Sequence, residues 1–194
     1  MAEFNDRGFN ECNDIATIGE EVYKKKLETL KSNGKIFSYV DLRESKIARL
    51  VDCDFAVFTK HGGYDVSSIG VEWLILNYSK IDHTPFCKLV DVKTDTKILT
   101  TGNIFLEMLM HGGPGCFGNT RADYWIYAGI DGETNEIKKA WSIDIRKVRE
   151  MVANGTLSLV NMDEYRSNEK YVFAYKVKIK LLEELGAAKE IKLL

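Results

Sequence analysis

Proline is nearly missing from this 194-residue chain, which has two, and glycine stands at an ordinary 15. Low-complexity, collagen-like and other fibrous classes are therefore excluded. No stretch approaches the roughly 18 consecutive apolar residues that cross a bilayer. The opening MAEFNDRGFNECND carries no apolar run of the kind that begins a secreted protein, so a cytoplasmic location with no membrane partner is expected. The four cysteines, Cys12, Cys53, Cys87 and Cys116, include no CxxC pair. A zinc site built from them with His61, His83 and His111 would need unrelated loops to converge, so isolated thiols are expected. A basic excess is lacking too: 27 basic against 29 acidic residues leave a net charge of -2. Binding to nucleic acid through bulk charge is thereby excluded, and any basic surface must be local or supplied in part by bound metal.

What is present fits one domain over residues 1–194, with 45% hydrophobic and 29% charged residues. Ile18, Val22, Tyr23, Leu27 and Leu30 recur at helical spacing, and Thr17 with Glu20 has the form of a capping box, so a helix is predicted from there to Asn33-Gly34. Residues 36–42 and 53–59 are rich in β-branched and aromatic residues and read as strands. Val66 to Tyr78 reads equally as a hairpin partner or a short helix, and Asp82 to Pro85 as a turn. Residues 86–94 read as a strand, and Gly102-Asn103 introduces another. The segment His111 to Asn119, with four glycines and a proline, reads as an irregular loop and a candidate substrate contact. Residues 124–130 and 140–143 read as core strands. Asp144 reads as the N-cap of a helix closed by Asn154-Gly155. Residues 171–177 read as strand, 178–185 as helix closed by Gly186, and the last residues as a short strand. The sum is an α/β or α+β domain with a mixed central sheet flanked by helices.

One constellation carries chemistry. Asp91 and Lys93, in KLVDVKTD, project from the same face of a predicted strand, roughly 6–7 Å apart at about 3.3 Å rise per residue. Their apolar neighbours Leu89, Val90 and Val92 imply burial, which is costly for a carboxylate and an ammonium unless they pair or engage a metal. Asp54, in VDCDFAVF, opens an earlier strand, and Glu20 lies in the first turn of the predicted N-terminal helix. Asp-x-Lys alone is a common tripeptide and equally describes an ion pair on an edge strand. Its context is what singles it out.

IGEEVYKKKLETL, VDCDFAVF, VDVKTDTKILTTGNIFLE and RADYWIYAGI together resemble the PD-(D/E)XK nuclease superfamily, in the branch that includes Holliday-junction resolvases and phage-type endonucleases. The resemblance covers most of the chain up to about Ile130, and VDVKTD followed by TGNIFLE is its most specific part. It implies a restriction-endonuclease-like core and a Mg²⁺-dependent (or Mn²⁺-dependent) DNA endonuclease. Asp54 then takes the place of the first metal-binding aspartate and Asp91 that of the second acidic ligand. Lys93 corresponds to the catalytic lysine, Glu20 to the helix glutamate of resolvase-type members with Glu21 as its rival, and the Val92 carbonyl to a further metal ligand.

This sequence departs from the family's pattern by an insertion at about residues 60–85, which raises Asp65 as a competitor to Asp54, and by its near-neutral charge. Glu107, on the same strand face as Asn103 and Phe105, either reaches the site or is solvated, and Asp95 is expected in solvent at its strand end. Tyr124 and Trp125 offer surfaces for base stacking but read first as core. The lysine and arginine runs at 24–26, 138–139 and 146–147 read as solvated faces. Cutting two strands symmetrically needs two sites, so a homodimer is an expectation by analogy. The alternative is a catalytically inactive nuclease-fold protein that binds nucleic acid or a host defence or repair protein.

Overall fold

The computed structural model describes residues 9–45, 51–59, 87–110, 113–157, 163–167 and 172–193. The elements are α1 (Phe9–Ser32), β1 (Ser38–Asp41), β2 (Phe55–Phe58), β3 (Cys87–Asp95), α2 (Ile98–Thr101), β4 (Asn103–Met110), β5 (Gly113–Pro114) and α3 (Cys116–Asn119). They continue with β6 (Tyr124–Ile130), β7 (Ile137–Asp144), α4 (Ile145–Ala153), β8 (Asp163–Ser167), β9 (Val172–Lys178), α5 (Ile179–Glu184) and β10 (Ala188–Ile191). The class is mixed α+β. The described residues form two sheets rather than the one expected: six strands in the order β1-β2-β3-β6-β7-β10, and four in the order β5-β4-β9-β8.

Pairing in the larger sheet is antiparallel except between β3 and β6, which run parallel with Asp91 opposite Trp125. A parallel pair needs a crossover, and here the crossover carries α2, β4, β5 and α3, so the second sheet starts within it. Alternation along β3 divides the core. Val90 and Val92 join Tyr23 and Leu27 of α1, together with Phe55, on one face. Leu89 lies on the other face with Trp125 and Trp141, Ile104 and Leu106 of β4, and Val148 of α4. Each fully buried side chain of this size contributes about 1.5–3 kcal/mol.

Most strands fall where the sequence places them, and Asp144 caps α4 by accepting the Lys147 N–H. Three expectations need correction. α1 begins at Phe9, not Thr17: no proline or glycine precedes Thr17 closely enough to stop it, and a Thr-x-x-Glu pair is equally at home inside a helix. The His111–Asn119 segment is not irregular throughout. Gly113 and Pro114 pair with β4, Cys116–Asn119 forms a helical turn, and Gly115 packs so closely on Glu107 that a Cβ would strike its backbone. Gly115 and Gly118 there serve close packing. β8 escapes detection because DEYRS has no apolar alternation. The insertion at 60–85, with its hairpin-or-helix question, its turn at Asp82 to Pro85 and Asp65, lies outside the described residues.

Gly19 fixes the seat of α1 on the sheet. A methyl group there would overlap the side-chain methyl of Thr94 and crowd Val92. Thr94 is β-branched and sits in a strand, so relieving the overlap means changing a restricted χ1 or shifting α1. Gly19→Ala is therefore expected to lower stability by about 1–3 kcal/mol, despite alanine's better helix propensity. Urea unfolding of the two proteins measures this, and an unchanged or raised midpoint would show that α1 is not so closely seated.

Candidate active site

Segment 51–54 is held from two sides before β2 begins. The Arg121 N–H donates to Val51 O at 2.9 Å, the Thr120 hydroxyl donates to Asp52 O at 2.9 Å, and the Asp54 N–H donates to Val90 O at 2.9 Å. Asp52 adopts a left-handed conformation (φ 51°), which aspartate tolerates better than most residues. The turn delivers Asp54 to the point where β2 stops and β3 continues. There the Val92 N–H donates to Asp54 Oδ2 at 2.7 Å, so a side chain takes over the ladder bond that the missing strand residue would supply. Within a strand, a residue's N–H and C=O point to the same side, which turns the Val92 carbonyl towards Asp54 as well.

Asp91 and Lys93 project from the opposite side of the strand to Val90 and Val92. The Lys93 ammonium lies 2.8 Å from Asp91 Oδ2 and 5.7 Å from the centroid of the Trp125 ring. The Asp91 side chain is 5% exposed and that of Lys93 27%, so the lysine is the member of the pair that solvent reaches. Asp91 Oδ2 is buried, and the Lys93 ammonium is the charge that balances it. Asp54 and Asp91 also share a hydrogen bond.

Burial pushes Asp91 up to about 8, against the opposing pull of Lys93, and the neighbouring Asp54 adds to the rise. Burial also raises Asp54, opposed by the Val92 N–H, Lys93 and the bond with Asp91. Burial works against the charge on Lys93, but Asp91 and Cys116 outweigh it and hold the ammonium above its ordinary range. Over Lys93 sits α3: the Cys116 thiol, pushed up to about 12 by burial, is bonded to Glu107. Glu107 thus borders this cluster rather than standing apart in solvent. Asp95, expected in solvent, accepts the Tyr127 hydroxyl at 3.2 Å and the Lys97 N–H at 2.6 Å.

Glu20 approaches from α1, on the other face of the sheet, near enough for Asp54 to raise it in addition to burial. Its partner is Arg43, absent from the sequence-based candidates. Arg43 Nη1 lies 3.3 Å from Glu20 Oε2 and 2.8 Å from Glu21 Oε1, and its guanidinium binds Asp41 through Nε at 2.8 Å and Nη2 at 2.7 Å. Glu20 and Glu21, rivals for one role, are both held by this arginine. Asp-x-Arg at the end of a strand facing a Glu-Glu pair was the available signal, and it could be recognised only once β1 was known to pack beside α1.

The structure therefore brings Asp54, Asp91, Lys93 and the Val92 backbone together, and sets Glu20 beside them through Arg43. Two carboxylates and a backbone carbonyl suit a hard divalent cation such as Mg²⁺. Among the described residues, no three acidic, histidine or cysteine side chains converge as a ready ligand set, so water and substrate oxygens would complete the shell. No helix of the described residues is long and apolar enough to cross a membrane.

An unfolded aspartate titrates near 3.9. Between about pH 4 and pH 8, the folded chain keeps on Asp91 a proton that the unfolded chain has released, so this residue makes stability fall as pH rises through the window. Asp91→Asn, neutral throughout, is expected to flatten that slope in the presence of chelator. Urea unfolding at several pH values between about 5 and 8 measures it, and parallel profiles for the two proteins would contradict the assignment. No protein-family model matches the chain, and neither does any curated protein.

Proposed function

We propose that this chain is a metal-dependent DNA endonuclease of the PD-(D/E)XK type, built on a restriction-endonuclease-like core. The observation that carries the proposal is the meeting of Asp54, Asp91 and Lys93 at the point where β2 ends against β3, with Asp54 bonded to the backbone between the other two. The order α1, β1, β2, β3, crossover and parallel β6 supports it, because an antiparallel run followed by a parallel strand leaves the end of β3 open for a site.

Phosphodiester hydrolysis has a high barrier, and most of its lowering must come from charge stabilisation and positioning. Asp54, Asp91 and the Val92 carbonyl would hold a divalent ion, which would supply Lewis acidity and neutralise charge on the phosphate. Lys93 supplies a fixed positive charge and a proton donor. Its side chain is 27% exposed, so an attacking water or a phosphate oxygen can approach the ammonium that Asp91 and the Trp125 ring hold in place. Asp54 keeps its orientation through the Val92 N–H, so the site is set before substrate arrives.

One observation favours a second reading, a nuclease-fold binding protein without catalysis. Asp91 is 3% exposed, with α3 packed beside its lysine, an environment that a structural ion pair would also have.

Cleavage of plasmid, single-stranded and branched DNA with Mg²⁺ or Mn²⁺ separates the two. The wild-type chain is expected to cut at least one substrate, and Lys93→Ala and Asp91→Asn to lose about 10²-fold or more of the rate, the scale for removing one electrostatic group from a transition state. Equal cleavage by wild type and mutants, or none on any substrate, would overturn the enzyme reading.

A further inference from the structure

Resting on the metal-site reading above, we infer that Thr120 is a positioning residue of the site: its buried hydroxyl holds Asp52 in the left-handed conformation that brings Asp54 to β3. Among the described residues, Asp52 and Asn135 are the non-glycine residues with positive φ, at 51° and 57°. Asn135 lies in the turn between β6 and β7, whereas Asp52 stands just before the aspartate that opens β2. A left-handed backbone brings Cβ close to the following carbonyl oxygen, so a residue with a side chain stays there only where its surroundings hold it.

Thr120 supplies the hold. It is 1% exposed, its Oγ1 accepts the Ala122 N–H at 3.0 Å, and its proton goes to the Asp52 carbonyl at 2.9 Å. Beside it, the Arg121 N–H donates to Val51 O at 2.9 Å, so two successive residues take two successive carbonyls. Thr120 is itself anchored from α4. The Arg149 guanidinium donates to the carbonyls of Phe117 and Thr120 and lies 5.6 Å from the centroid of the Phe117 ring. With the Asp52 oxygen fixed, the planar peptide between Asp52 and Cys53 is fixed too. Cys53 alone separates that peptide from Asp54, whose N–H reaches Val90 O at 2.9 Å and whose carboxylate accepts the Val92 N–H at 2.7 Å. If Asp52 relaxes to negative φ, the peptide turns and draws the Asp54 carboxylate away from the Val92 N–H.

Mn²⁺ affinity of the full chain, measured by titration calorimetry beside urea unfolding, tests this without reference to activity. Wild type is expected to bind Mn²⁺, and folded Thr120→Val to bind it at least about tenfold more weakly. Thr120→Ser, which keeps the hydroxyl, is expected to stay within about threefold of wild type. Asp52→Ala and Asp52→Gly remove the same charge, but only glycine takes positive φ without steric strain. The alanine variant is therefore expected to bind at least about fivefold more weakly than the glycine variant. This pair leaves Thr120 in place and carries the test if Thr120→Val does not fold. A merely structural hydroxyl would lower the urea midpoint of Thr120→Val and leave its Mn²⁺ affinity at the wild-type value. That result, or equal affinities for Asp52→Ala and Asp52→Gly, would overturn the inference and leave the nuclease reading standing. No binding by wild type would remove the metal-site reading and this inference together.

Discussion

β3 is buried on both faces, and one of those faces is ionisable; the bond from the Val92 N–H to Asp54 Oδ2 is what makes that arrangement workable. Without it, the β3 backbone would lose a partner just where β2 ends, and Asp54 would have no fixed direction. With it, Asp54 is anchored by the backbone and held against Asp91, whose own burial is the electrostatic cost of the site. Lys93 offsets part of that cost. Burying a carboxylate this deeply is tolerable where an adjacent ammonium and a shared proton, or a metal ion, relieve it.

The two faces of the sheet divide the work. On the α1 side, Gly19 lets the helix sit directly on Val92 and Thr94, which fixes where Glu20 stands relative to Asp54. On the other side, the second sheet and α3 cover Trp125 and confine Lys93. Gly115 is the counterpart of Gly19 there, since its close approach to Glu107 brings Cys116 next to the lysine. Two glycines, one on each face, set the depth at which the acidic cluster lies.

Much of the fold was legible because its signals are local. Alternation and β-branching marked β1, β2, β3 and β6 to within a few residues, and Asp144 with Asn154-Gly155 bounded α4. The grouping of Asp54, Asp91 and Lys93 was legible through motif context. Two things were hidden. The second sheet depends on β4 pairing with β9, some seventy residues on, and nothing in either strand names its partner. Arg43 was hidden because its importance arises from three acids on two elements, Glu20 and Glu21 on α1 and Asp41 on β1, that no sequence window contains together.

The parallel pairing of β3 with β6 also ties protonation to folding. β2 and β3 are antiparallel neighbours, whereas β6 is joined to β3 through a crossover that carries α2, β4, β5 and α3. In the unfolded chain Asp91 has no Trp125 beside it, and a hydrated aspartate keeps its ordinary acidity. In the folded sheet burial raises its proton affinity. Closing the sheet is therefore also an event of proton uptake, and the packing that completes the hydrophobic core sets the charge state of Asp91.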